Sequence, residues 1–310
     1  MIENLLLVAR QVGVLFLLMA VGFLLTRAGK LTAQTLPQLS FLLLYVVTPC
    51  VILDAMQLEH SDDLLADLGR GTGLLIVCYL LFILVLPLFF RRAQPDTGAT
   101  LRFGTLYSNQ GFMGFPLIQS ILGPGALLHA MPSYLLFQVF SWTHGVWLMG
   151  GRKEVSLKKL ILSPPILAAI AGIGLFLTHT ALPPMAGAAV GFLADLNTPL
   201  AMVVIGGQMA GADLPATFRN RALYASAILK LIAVPAVTAL VLLPFGLPPL
   251  IYCASVILMA TPTAGVTAMF SEQYHRDGKT AAQAVSLSTL LSILTLPVFA
   301  VLSQTLSGLS

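Results

Sequence analysis

Two short stretches gather the groups with which this chain could hold a polar solute. Residues 107–116 read YSNQGFMGFP and residues 260–270 read ATPTAGVTAMF. In the first, Asn109 and Gln110 offer side-chain amides, Gly111 and Gly114 weaken a helix, and Pro116 removes a backbone donor. In the second, Thr261, Pro262, Thr263 and Gly265 repeat the theme, because proline is preorganised for a first helical position and the threonine before it is a capping residue. A helix beginning at such a point presents uncapped N–H groups and the positive end of its dipole, a combination suited to an anion. The alternative for each stretch is a proline kink whose freed groups are satisfied by neighbouring helices.

Other polar residues stand singly in apolar surroundings. Lys230 has two readings: a binding group inside the membrane, or a side chain whose stem lies along the helix while its ammonium snorkels to the interface. Asp54 and Asp195 fall near the ends of apolar runs, where they serve either as ion-coupling carboxylates or as solvated end residues. Gln138 and His144 are six positions apart, an offset of about 120° on a helical wheel. They therefore face differently, and Gln138 is the better candidate for a site, with His144 beside Trp142 the structural one. Cys50, Cys78 and Cys253 show no metal-binding spacing and read as small packing residues. No metal site and no cofactor is expected.

The elements that must position these groups are membrane helices. The chain is 57% hydrophobic and 9% charged, against roughly 25% charged residues in soluble domains. A span needs roughly 20 apolar residues, and about ten such runs are present, near 5–26, 37–57, 71–90, 102–122, 126–149, 160–179, 189–211, 222–244, 250–271 and 281–304. No soluble domain fits between them, so any site is built from the spans, with the lipid bilayer as solvent. The first run carries Glu3 and Arg10 before Arg27 and Lys30, and reads as a retained span rather than a cleaved leader.

The formal net charge is +4, and its placement explains it. Basic residues occupy alternate loops: Arg27 and Lys30, then Arg91, Arg92 and Arg102, then Arg152, Lys153, Lys158 and Lys159, then Arg219 and Arg221, then Arg276 and Lys279. In the loop after the second run, Arg70 is offset by Glu59, Asp62, Asp63 and Asp67. The positive-inside rule makes the basic loops cytoplasmic and puts both termini outside, in the periplasm of a bacterial inner membrane. No nucleic-acid partner is needed to account for the charge.

The two halves, 1–150 and 151–310, are weakly similar at an offset of about 150 residues. Thr48-Pro49 falls on Thr198-Pro199, and the break in the fourth run falls near that in the ninth. With an odd number of spans in each half, the second enters from the opposite side, so the repeat is inverted. Inverted repeats with interrupted helices in matching positions mark secondary transporters. Gly206, Gly207 and Gly211 in the seventh run suggest close helix packing, within the chain or at a dimer interface.

At these residues the chain resembles the auxin efflux carrier family, which includes bacterial carriers assigned to malonate or malate and the plant PIN exporters. The resemblance rests on VGFLLTRAGKLT at 21–32 with Pro49, on SNQGFMGFP, on NTPLAMVVIGG at 197–207 and on ATPTAGVTAMFSEQY at 260–274. It implies an all-α membrane fold of ten helices in two inverted five-helix repeats, with helices 4 and 9 broken and crossing. It further implies a scaffold of helices 1, 2, 6 and 7 beside a mobile unit of helices 3–5 and 8–10, and a carboxylate-binding role for Asn109. The long cytoplasmic loop of many plant exporters is replaced by a short basic one, so neither its phosphorylation nor the plant hormone carries over.

The resulting expectation is a secondary transporter of small organic anions working by an elevator-like alternation. A homodimer and a coupling ion, proton or sodium, are its candidate partners. The competing class is an anion channel lined by the same broken helices. No Walker motif, H-E-x-x-H or serine–histidine–acid arrangement is present to support direct ATP drive or catalysis.

Overall fold

The computed structural model describes residues 2–57 and 62–309. Glu59 of the acidic loop lies outside the described residues. The described chain is helical and contains no strand; one isolated antiparallel bridge joins Ser108 to Thr263. In order the helices are α1 (Ile2–Arg27), α2 (Thr35–Leu42), α3 (Thr48–Ala55), α4 (Asp62–Val85), α5 (Pro95–Leu106), α6 (Phe115–Leu122), α7 (Leu127–Phe140), α8 (Val146–Gly150) and α9 (Leu157–Ile161). They continue with α10 (Pro164–Leu177), α11 (Pro184–Asp195), α12 (Asn197–Ala210), α13 (Leu214–Arg219), α14 (Arg221–Ile228), α15 (Val234–Leu242), α16 (Pro249–Ala260), α17 (Val266–Gln273) and α18 (Gly278–Ser307).

Among the described residues, six helical stretches are long and apolar enough to cross a membrane: Leu5–Arg27, Thr35–Ala55, Leu64–Leu88, Pro184–Ala210, Arg221–Phe245 and Gly278–Ser307. The other apolar runs are shorter or interrupted helices. The outside of the molecule is apolar, with Leu6, Leu17, Leu24, Leu84, Phe192 and Leu294 exposed. The inside holds Gln110, Ser133, Asn197 and Lys230. This distribution is that of a protein whose solvent is lipid. The three cysteines are free and buried, as packing residues should be.

Prolines shape several helices without ending them. The π-turns Leu43–Val47, Gln110–Gly114 and Leu229–Ala233 are each followed two residues later by Pro49, Pro116 or Pro235. A proline ring collides with the carbonyl four residues back and cannot donate to it. The widened turn absorbs the mismatch, with Thr48, Phe115 and Val234 donating instead to the carbonyls of Leu43, Gln110 and Leu229.

Glycines set the closest helix contact. A methyl group on Gly206 would fall 1.8 Å from the carbonyl oxygen of Met19, and one on Gly22 would fall 2.0 Å from that of Val203. Only hydrogen in both places lets the α1 and α12 backbones meet. Gly207 is likewise closed off by Leu36. These glycines serve packing within the chain.

A polar clamp joins three connections at one end of the molecule. Arg276 donates to Asp96 at 2.5 Å and to the Met149 carbonyl at 2.7 Å. Thr97 donates to Asp277 at 2.7 Å. Partial burial alone would raise the Asp277 pKa, but hydrogen bonds from Thr280 and Thr97 to the carboxylate outweigh it and hold the group below its ordinary value.

Candidate functional site

The two chemically distinctive stretches meet. Helix α5 ends at Leu106, and the chain runs extended through Tyr107 before the π-turn that leads into α6. Helix α16 ends at Ala260, and the chain is open until α17 begins at Val266. The two openings cross as a single antiparallel bridge, in which the Asn109 amide donates to the Pro262 carbonyl at 2.8 Å and the Ala264 amide donates to the Tyr107 carbonyl at 3.0 Å. Each break satisfies part of the backbone that the other leaves free, which is what permits unwound chain inside an apolar molecule.

The hydroxyls of the second break are turned inward. Thr261 Oγ1 donates to the Leu258 carbonyl at 2.7 Å, Thr263 Oγ1 donates to the Gly104 carbonyl at 2.9 Å, and the Thr263 amide donates to Ser288 Oγ at 3.1 Å. The expected start of the second half-helix at Pro262 with Thr261 as its cap is therefore corrected. The helix begins four residues later with Gly265 as its uncapped first boundary, because both hydroxyls are committed elsewhere and the Pro262 carbonyl is engaged with the other break.

Free donors surround this crossing. Among the described residues, the amides of Gly111 and Phe112 at one half-helix start, and of Gly265 and Val266 at the other, have no acceptor in the protein. All four residues are partly accessible. The side-chain amide of Asn109 has no hydrogen-bond partner among the described residues either, although the residue is only 8% exposed. Unpaired donors at two helix starts, with an amide between them, form a place where an anion is stabilised.

The remaining expected residues divide. Gln110 is fully buried and spent on the protein: its Nε2 donates to Tyr79 at 3.3 Å and lies 3.5 Å from the Met259 sulfur, while its Oε1 accepts from Ser133 at 3.1 Å. Gly114 packs against Leu258, where a methyl group would stand 2.3 Å away, and Pro116 is buried in α6. Gln138 acts at one remove, donating to Tyr134 at 2.7 Å, whose ring closes over Gly111. His144, assigned above to structure, reaches the break itself through a 2.8 Å hydrogen bond with the Tyr107 hydroxyl.

Lys230 does not snorkel. It is fully buried on the π-turn before Pro235, and its Nζ donates to Ser108 Oγ and, at 3.3 Å, to the Met259 carbonyl. Asp54 and Asp195, by contrast, are exposed at the ends of α3 and α11, close enough to repel each other. The structure brings them together, away from the crossing.

Two residues escaped the sequence reading. Ser108 links Lys230 to the break and differs from Asn109 by one position. Gln208 on α12 is exposed, with its Oε1 3.6 Å from where a methyl group on Gly265 would lie. Its signal was an amide directly after the glycine pair of an apolar helix, a position from which it faces the second half-helix start.

The family model described as membrane transport protein matches residues 7–158 and 152–300. An uncharacterized transporter from Methanothermobacter thermautotrophicus is similar at 23% identity over 292 residues, covering 92% of this chain and 94% of that one. Together with the apolar helices and the crossed breaks, the match identifies the chain as a multi-pass membrane protein belonging to the membrane transport protein family, that of the auxin efflux carriers.

Proposed function

We propose that the protein is a secondary transporter of small organic anions, carboxylates above all, which it binds at the crossing of the two breaks and exposes alternately to the two sides of the membrane. The observation that carries this reading is that the two crossed breaks bear unpaired donors together: the Asn109 amide with the free N–H groups at Gly111, Phe112, Gly265 and Val266. A carboxylate accepts several such bonds at once, and each is stronger for the charge.

An elevator motion is supported by where the hydrogen bonds fall. Side-chain bonds knit the mobile group together: Arg70 to Phe245, Thr105 to Ser226 at 2.7 Å, Thr97 to Asp277 and Asn220 to Gln283. The scaffold is tied by Gln57 accepting from the Leu182 amide at 2.8 Å and by the glycine contact of α1 with α12. Between the two groups, one side-chain hydrogen bond stands among the described residues, Thr198 to Gln119 at 3.3 Å. A boundary so lightly tied in polar terms can slide. In this reading the chain has ten spans in two inverted repeats, 1–150 and 151–310, lies in a bacterial inner membrane with both termini periplasmic, and works as a homodimer.

The test is counter-transport in proteoliposomes against a panel of mono- and dicarboxylates, malonate among them. Saturable flux of labelled anion, accelerated by unlabelled anion on the far side, is expected. Non-saturating flux without exchange would establish a pore instead.

A further inference from the structure

Lys230 occupies an environment that an ordinary ammonium group does not tolerate. It is fully buried, and among the described residues it forms no ion pair. The π-turn that carries it packs against α5, α14, α15, α16 and α18. Their ionisable side chains are Asp96 and Arg102 on α5, Arg221 and Tyr224 on α14, Tyr252 and Cys253 on α16 and Lys279 on α18, with none on α15. Tyr107 at the break and Tyr79 beyond Gln110 complete the set. The one carboxylate, Asp96, lies ten residues before the end of α5, about 15 Å along the helix, and is engaged by Arg276. A buried charge without a partner is costly, and loss of the proton relieves that cost.

The neighbours of Lys230 suit both of its protonation states. Ser108 Oγ accepts from the ammonium and itself donates to the Met259 carbonyl at 3.3 Å. A hydroxyl is both donor and acceptor, so it can rotate to donate to a neutral amine. An opposite charge is supplied from elsewhere: Ser108 is adjacent in the chain to Asn109, where the carboxylate is placed. An anion there favours the ammonium, and by reciprocity the ammonium raises the affinity for the anion by the same factor.

We propose that Lys230 is the proton-binding group of the carrier, taking up one proton with each carboxylate that binds at the crossing and releasing it when the carboxylate leaves, so that proton and anion cross together. The reaction is Lys230-NH2 plus H+ plus RCOO− giving the Lys230 ammonium with bound carboxylate; no covalent bond forms. A monocarboxylate then crosses without net charge and a dicarboxylate with one negative charge. The proposal rests on the anion-carrier reading above, and it moves the coupling role from Asp54 and Asp195 to Lys230.

The experiment uses the purified full chain in proteoliposomes that enclose a pH-sensitive dye, with malonate as the probe and protein-free vesicles as the control. Malonate uptake should acidify the lumen with one proton per anion. Apparent malonate affinity should fall as pH rises, by up to about tenfold per unit, because the binding form is being deprotonated. Lys230→Gln should abolish both the proton movement and the pH dependence. Lys230→Arg, permanently charged, should bind malonate with pH-independent affinity and release no proton. Malonate uptake by the unaltered protein without proton movement overturns the coupling while leaving the carrier intact, as does unchanged proton movement in Lys230→Gln. Absence of saturable flux for every carboxylate of the panel overturns the carrier reading and this proposal with it. If both variants fail to fold, the proton-to-malonate ratio of the unaltered protein still decides.

Discussion

The crossing of the two breaks and the boundary between the two helix groups are built from opposite materials. At the crossing, backbone and side-chain hydrogen bonds from α5, α16, α18 and the π-turn of Lys230 fix each residue: Asn109 to Pro262, Tyr107 to Ala264, Thr263 to Ser288 and Gly104, Lys230 to Ser108. At the boundary, α1 meets α6 and α18, and α3 meets α7, through apolar side chains, with Thr198 to Gln119 as the polar tie. Hydrogen bonds are directional and hold one geometry, whereas apolar contact changes little when surfaces are displaced. Under the proposed elevator motion, a site that must keep its shape while changing its address needs the first inside and the second around it.

The largest effect is expected from joining the boundary covalently. Gln119→Cys with Thr198→Cys places one thiol on each side of the boundary, at the pair now joined by a hydrogen bond. Oxidation should stop transport and reduction restore it, read as initial uptake rates with the extent of cross-linking followed by gel shift. Full transport with the cross-link complete would sink the sliding boundary.

A second break targets the contact that must not slide. Gly206→Ala drives a methyl group into the Met19 carbonyl, where neither backbone can yield cheaply. A loss of about 1–3 kcal/mol is the usual cost of such overpacking, seen as a lower thermal midpoint in detergent. Gly13→Ala, on the same α1 helix but with nothing within 4 Å of the new methyl, should leave the midpoint unchanged or raised. Equal midpoints for the two variants would refute the close contact of α1 with α12.

Asn109→Ala probes the fixed side of the comparison. Losing a hydrogen bond to a charged partner costs about 1.5–3 kcal/mol, roughly ten- to a hundredfold in anion affinity. Folding should be spared, because the side-chain amide has no protein partner to lose and the bond to Pro262 comes from the main chain. Unchanged affinity for a transported carboxylate would remove Asn109 from the site.

Much of this was legible in the sequence, and what was not is non-local. The apolar runs, the two breaks and the place of Asn109 follow from composition and from Gly, Pro and amide residues in a setting that disfavours them. The start of the second half-helix was misplaced because capping by Thr261 is a local rule, and its hydroxyl turned back onto Leu258 while Thr263 found Gly104, 159 residues away. Gln110 looked as available as Asn109, since nothing in its neighbours announces Tyr79 and Ser133. Helix position alone left Lys230 undecided between interface and interior; only the approach of Ser108 and Met259 settles it.

The smallest effect is expected at the polar tie itself, and it sharpens the comparison most finely. Thr198 Oγ1 donates to Gln119 Oε1 at 3.3 Å, both side chains being partly accessible. A neutral bond of this length contributes about 0.5–1.5 kcal/mol at most, and the proposed displacement of the boundary would break it. Thr198→Val keeps the shape and removes the donor. If the bond holds the mobile group in the arrangement described, its loss favours the alternative, raising or leaving unchanged the rate at which the carrier turns over; stability should move by less than about 1 kcal/mol. The corresponding change at the crossing, Ser288→Ala, removes the acceptor of the fully enclosed Thr263 amide and should cost about 1–3 kcal/mol, because that donor has no water to turn to. Thermal midpoints of the two variants, measured side by side, give the contrast directly. A Thr198→Val protein as destabilised as Ser288→Ala would show that the boundary is held as firmly as the site, and the distinction between them would fall.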